Sequence, residues 1–282
     1  MGYNEEDLKK LHQVLKEICA EIVRVCEENG IEYFIQGGTA MGAHFFNDIM
    51  PWDDDMDLGM TMENYRKFIE LAPSKLQKGF TLQVFETEPD TPFYFAKVRK
   101  DDTLFVEELY RNLNIHHGIY VDIFPYNKVP DCNICEVLQR EQVRFLINCF
   151  ISKSIWVWKH LSKQAESCMF DKSLLSCLLI KCYSTLFTKR QLHRQMLRAM
   201  TRHDKGQHKY YNIVRMPKDQ IEVAAIEHPV TVNMGGLNVK CPANVEDYLR
   251  HHYGQNIQKW PAPHLRVNHA PMTLKFNTNK EG

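Results

Sequence analysis

The sequence predicts an α+β protein, a mixed-sheet core carrying a helical insertion or subdomain. Three observations predict it. Short apolar, β-branched runs alternate with amphipathic stretches through the first 130 residues. Residues 134–203 then run without a glycine or proline and with helical periodicity. The chain finally returns to strand, turn and helix signals. The expected organisation is a core over 1–130, a helical subdomain over 131–227, and a C-terminal hairpin, helix and tail over 228–282 that packs on the core.

The elements follow in order. Leu8, Leu11, Leu15, Ile18, Ile22 and Val25 recur at intervals of three and four, so 5–29 is a helix with one apolar face, stopped by Asn29-Gly30. IEYFIQGG (31–38) reads as a strand ending in a glycine turn, and 39–46 as a short helix opening from it. MDLGM (56–60) is a second strand, followed by a helix that closes near Pro73. Residues 81–87 and 94–100 are strands around a proline-rich turn. Ile119 to Phe124 is a strong strand, which Pro125 is expected to end. Two to four helices fill 134–203, and 229–241 forms a hairpin turning through Gly235-Gly236. Asn244 caps a helix that runs to Tyr253 and stops at Gly254.

Composition narrows the function. The 35 basic and 35 acidic side chains cancel, which argues against bulk nucleic-acid binding. The N-terminus is charged and amphipathic, unlike a secretory signal. Lys153 interrupts the apolar stretch 145–158 and Lys181 the one from Leu174 to Phe187, so neither reaches the ~18 uninterrupted apolar residues of a membrane span. Nine irregularly spaced cysteines suit a reduced interior rather than a disulfide framework. The expected location is cytoplasmic, with peripheral contact at the inner membrane face.

The chemistry concentrates in Gln36-Gly37-Gly38-Thr39 and in PWDDDMDLGM (51–60), which packs Asp53, Asp54, Asp55 and Asp57 into five positions. Such crowding is repulsive unless a cation or proton compensates. Asp55 and Asp57 alternate around Met56, and on a strand residues two apart share a face. Two converging carboxylates suit Mg²⁺, or Mn²⁺, with coordination left over for substrate phosphates. Gly37, Gly38 and Thr39 supply a backbone that a phosphate can approach, at a helix N-terminus. Asp122, inside the apolar run GIYVDIF, is the expected third carboxylate, as metal ligand or base. Lys97 and Arg99 alternate on a strand, where they either neutralise donor phosphates or form a solvated strand face.

GGTAMGAHFFNDIMPWDDDMDLGM resembles the signature of LicD-type phosphotransferases, a Gly-Gly-Thr turn followed by a PWDDD-x-D block. The resemblance continues through 94–108, 118–125, 242–254 and 264–271. It implies a nucleotidyltransferase-like fold with the catalytic core in 1–130. It also implies metal-dependent transfer of a phospho-alcohol, phosphocholine foremost, to a hydroxyl of a cell-surface glycan or its lipid-linked precursor. The implied donor is CDP-choline or another CDP-alcohol. The basic pair that many members carry after the small helix is reduced here to His44. Two alternatives stay open: a classical nucleotidyltransferase that releases pyrophosphate, and a catalytically silent nucleotide-binding or scaffold protein.

Three further signals are weaker. Arg190, Arg194, Arg198 and Arg202, four apart, form one basic stripe on a helix, which reads first as a solvated face and second as a grip on an anionic partner. Cys132-Asn133-Ile134-Cys135 lacks two further ligands at zinc spacing and reads as two free thiols. Arg266 and His269 lie in the C-terminal loop, where they either hold a phosphate and order the acceptor or belong to a plain surface loop.

Overall fold

A computed structural model describes residues 4–155, 174–213, 220–258, 260, 266 and 269–278. The end of the apolar stretch 145–158, Cys168 and half of the 264–271 motif lie outside these residues. The described residues form an α+β molecule. Helices are α1 (Glu5–Asn29), α2 (Gly37–Phe46), α3 (Met62–Lys75), α4 (Asn133–Ile151), α5 (Leu174–Leu186), α6 (Lys189–Met200), α7 (Val223–Glu227) and α8 (Val245–Tyr253). Strands are β1 (Phe34–Ile35), β2 (Asp57–Thr61), β3 (Phe80–Gln83), β4 (Ala96–Lys100), β5 (Leu104–Val106) and β6 (Tyr120–Val129). They continue with β7 (Tyr210–Asn212), β8 (Ile221–Glu222), β9 (Val230–Met234), β10 (Leu237–Cys241) and β11 (Thr273–Lys275).

The central sheet has seven strands, running β1-β2-β6-β4-β3, with β7 bridging β6 to β8. It is mixed: β2 and β6 are parallel and the remaining pairs antiparallel. Side chains alternate across each strand. Leu58, Met60, Val121, Ile123, Val98 and Leu82 are buried, in one core with Leu11, Leu15, Ile18 and Ile22 of α1 and Phe68 of α3. Asp57, Asp122, Lys97 and Gln83 alternate with them and stand in register across β2, β6, β4 and β3. The sheet therefore presents an apolar face to α1 and α3 and a row of polar groups on its other face.

Several boundaries differ from expectation: the strand expected over 81–87 ends at Gln83, the one in 31–38 covers only Phe34–Ile35, and three more bear on the site. β6 continues through Pro125 to Val129. Amide alternation explains this. Asp122 donates toward β2, to the Met56 carbonyl, so odd-numbered residues of β6 face the opposite edge. On that edge β4 pairs only as far as Ile123 and β7 begins at Asn127. The missing N–H of Pro125 thus falls in the gap between two partners, where no ladder bond is lost. Gly37 and Gly38 form the first turn of α2 instead of a preceding turn, and β2 begins at Asp57, leaving Asp55 just ahead of the strand. Asn244 does cap α8, but in the left-handed conformation and with no bond from its side chain.

The described residues of 134–203 form α4, α5 and α6, whereas β7 and β8, within the expected helical stretch 131–227, join the central sheet through β6. α4 packs on α6 and α5, and Thr188 and Gln191 close a reciprocal capping box at the start of α6. Cys132 and Cys135 are exposed free thiols at the start of α4, and no third ligand joins them among the described residues. Among the described residues no helix is long and apolar enough to cross a membrane.

Candidate active site

The site is the edge of the sheet where β2 and β6 begin. The chain enters it through Pro51-Trp52, and Trp52 packs edge-on against Phe46 and Trp260 at ring separations of 5.5 and 5.7 Å. The Arg266 guanidinium covers the Trp52 ring at 3.9 Å. The aspartate segment is thus held by an aromatic cluster on one side. On the other, His12 of α1 meets the Asp53 carbonyl at 2.7 Å.

Asp57 opens β2 directly beside Asp122 of β6, as the parallel register requires. Its amide is fixed by the Thr39 hydroxyl, which accepts at 2.8 Å, and its carbonyl accepts from Gln36 at 3.1 Å. Thr39, expected to cradle phosphate, is therefore buried and engaged through its side chain in orienting Asp57. The α2 N-terminus itself abuts the acids. A Cβ on Gly38 would meet Asp53 Oδ2 at 2.8 Å, and one on Gly37 would lie 4.0 Å from Asp57 Oδ2. Gly37 sits at φ 52°, a left-handed conformation that favours glycine, and its amide donates to the Tyr248 hydroxyl at 2.7 Å. Tyr248, 211 residues away and inside the 242–254 stretch of resemblance, locks the turn from α8.

Lys97 and Arg99 divide. Lys97, 2% exposed, extends along the polar face of the sheet and donates to Asp122 Oδ1 at 2.6 Å. Its ammonium lies 3.5 Å from the Tyr120 ring centre and 4.4 Å from that of Phe93, an apolar cage that lowers its pKa against the pull of Asp122. Arg99 is turned inward. It donates to Gln83 Oε1 at 2.7 Å and to the Gly118 carbonyl at 2.6 Å, and its guanidinium stacks 4.7 Å from Tyr120. Sequence reasoning placed Lys97 on donor phosphate; the structure gives its ammonium a carboxylate partner from the same predicted site.

The aspartates carry more negative charge than their surroundings neutralise. Burial, reinforced by neighbouring carboxylates, pushes Asp53, Asp55 and Asp57 above the ordinary carboxylate range. His269 responds in the opposite sense. Its backbone N–H donates to Asp54 Oδ2 at 2.7 Å, and its Nδ1 lies 3.4 Å from Asp54 Oδ1 and 3.3 Å from Asp55 Oδ2. Its pKa is pushed up to about 10, chiefly by the Asp54 hydrogen bond.

Asp54, Asp55 and His269 each offer one ligand atom, all within 4.8 Å of one another. The Nδ1 of His269 also pairs with Asp54 and Asp55, so an ion bound there would compete with the proton that those carboxylates favour. Asp53, Asp55, Asp57 and Asp122, at the α2 N-terminus and the β2–β6 edge, add a cluster of carboxylate oxygens. That set fits a hard divalent cation such as Mg²⁺ or Mn²⁺.

A family model described as "LicD/FKTN/FKRP, nucleotidyltransferase domain" matches residues 30–174, just over half of the chain. Among curated proteins, the lipopolysaccharide cholinephosphotransferase LicD of Haemophilus influenzae is 22% identical over 260 residues, covering 87% of this chain and 89% of that one. The ribitol 5-phosphate transferases FKRP of Mus musculus and Homo sapiens are each 29% identical over 100 residues, 34% of this chain. The matched segment spans 20% of the length of either FKRP protein.

Proposed function

The chain belongs to the LicD family, and from that premise we propose that it transfers a phospho-alcohol, phosphocholine foremost, from a CDP-linked donor to a hydroxyl of a cell-surface glycan or its lipid-linked precursor. The observation that carries the reading is the in-register pair Asp57–Asp122, beside Asp55 and at the N-terminus of α2, with Lys97 bound to the far side of Asp122. Asp55, Asp57 and Asp122 would hold the divalent cation. When bound, that cation neutralises the clustered carboxylates and polarises the phosphoryl oxygens of the donor.

The chain's own residues supply the rest. Gly37 and Gly38 let the donor phosphates come close to the start of α2, where backbone N–H groups and the helix dipole favour negative charge. Thr39 keeps Asp57 aimed at the cleft through its amide. Lys97 holds one oxygen of Asp122, which leaves the second oxygen to take the proton of the acceptor hydroxyl. Arg99 supports Lys97 from below through Gln83 and Tyr120. His269 stands over Asp54 and Asp55 as the cationic wall of the cleft. The acceptor oxygen attacks the phosphorus bearing the alcohol, the bond to the bridging oxygen breaks, and CMP leaves.

The test is incubation of the purified protein with Mg²⁺ and a panel of CDP-alcohols, CDP-choline and CDP-ribitol among them, followed by assay of CMP. Metal-dependent CMP release from one donor supports the reading. No release from any CDP-alcohol, with pyrophosphate formed from a nucleoside triphosphate, would replace it with the classical nucleotidyltransferase reaction.

A further inference from the structure

The outer face of α5 is apolar and uncovered among the described residues. Leu175, Leu178, Leu179 and Leu186 are 50–74% exposed, although Ile180 and Ser184 on the opposite face are buried. At 100° per residue the four leucines fall, with exposed Cys182, within one arc of about 100°. The two-residue link Phe187-Thr188 joins α5 to α6, whose Arg190, Arg194 and Arg198 are exposed and make no ion pair among the described residues. Residues 174–202 contain six basic side chains and no carboxylate.

The two features meet. A groove of about 390 Å³ between α4, α5 and α6 is lined by Gln142, Phe145, Tyr183, Gln195, Arg198 and Arg202. Tyr183 donates to Gln195 at 2.8 Å and packs on Phe145 at 5.2 Å, which fixes α5 against α6. Leu179 sits one turn before Tyr183 on α5 and Arg198 one turn after Gln195 on α6, so the groove lies between the leucine arc and Arg198, although no leucine of the arc lines it. The acids on nearby elements are accounted for. Glu136 and Glu141 of α4 pair with Arg140 and Arg144. Glu86 and Asp90 lie across a second groove from Arg190 and Arg194.

We propose that α5 and the arginine face of α6 form a surface that docks on an anionic lipid bilayer, with α5 lying in the interface plane. Thirteen residues are too few to span a bilayer. An arc of leucines beside unpaired arginines has the composition of an interfacial helix. The arc lacks the aromatic anchors that concentrate energy in protein–protein contacts. This inference does not rest on the transfer reading.

Co-sedimentation of the full chain with phosphatidylcholine vesicles, with and without phosphatidylglycerol, tests it. Binding is expected only to the mixed vesicles and should weaken with salt. Arg194→Gln with Arg198→Gln should weaken it about 25-fold, at roughly fivefold per basic residue near an anionic surface. Leu175→Ser, Leu178→Ser and Leu179→Ser combined should weaken it independently. All five positions are exposed, so circular dichroism should show both variants folded. Absence of wild-type binding, or equal binding by both variants, would overturn the proposal. So would lipid-free dimerisation abolished by the leucine variant, which would assign the arc to a second copy of the chain.

Discussion

Replacing Lys97 by methionine tests the electrostatics of the site before any substrate is known. Methionine keeps the stem of the side chain in its aromatic cage and removes only the charge and the hydrogen bond to Asp122. Asp122 would then stand beside Asp57 without its ion-pair partner, at 13% exposure. Breaking one half of a buried pair costs about 3–5 kcal/mol, because the remaining charge is uncompensated. For a chain of this size that corresponds to a fall of roughly 6–20 °C in melting temperature. The assay is thermal or urea denaturation of Lys97→Met, Asp122→Asn and the double variant. Asp122→Asn should restore most of what Lys97→Met loses, with a coupling of at least about 2 kcal/mol. Strict additivity, or a loss below about 1 kcal/mol for Lys97→Met, would refute the pairing as the organising interaction of the site.

Further outcomes follow from the same geometry. Asp55→Asn or Asp57→Asn should abolish turnover while leaving the metal-free protein as stable as wild type or more so, since each removes repulsion; substantial residual activity with Mg²⁺ would end the metal assignment. Stability of the metal-free protein should fall as pH rises from 6.5 to 8.5. Asp53 is raised to about 8, so the folded chain binds a proton that the unfolded chain has released, and this contribution is lost as pH climbs through the folded value. His269, raised to about 10, acts in the same direction, with its contribution full below the ordinary value of about 6.5. Mg²⁺ should narrow the gap at pH 8.5, and calorimetric melting temperatures that rise with pH without divalent ions would contradict the sign. Gly59→Ala should cost about 1–3 kcal/mol by overpacking, because its Cβ would press on the Phe34 ring and come within 2.8 Å of Tyr126; unchanged denaturant midpoints would show that those rings yield.

The parts of the fold that the sequence revealed are those whose signals are local. The apolar period of α1, the alternation in β2 and β6, the hairpin of β9 and β10, and the glycine-aspartate motif each sit within a short window. β5, β7, β8 and β11 were missed, being two or three residues long and stabilised by distant partners, as when Thr273 to Lys275 pair with Leu104 to Val106. Pro125 misled because its effect depends on which edge its absent N–H faces. The aspartates were legible as a charge problem, and the closeness of Asp122 to Asp57 followed from placing both on neighbouring strands. What each polar group does was less legible. That Lys97 meets Asp122, that Arg99 turns inward, that the Thr39 hydroxyl holds Asp57, and that Tyr248 and His269 close on the motif are all consequences of long-range register and packing.

The most direct test of the account follows the phosphorus. CDP-choline labelled at the phosphorus that bears choline is incubated with Mg²⁺, the full chain and a lipopolysaccharide acceptor, and the label is located after separation of the products. The account predicts label in a glycan phosphodiester together with an equal amount of unlabelled CMP, and loss of both products in Asp57→Asn. Label remaining in a nucleotide while the acceptor gains a nucleotidyl group, or transfer that persists in Asp57→Asn, would contradict it.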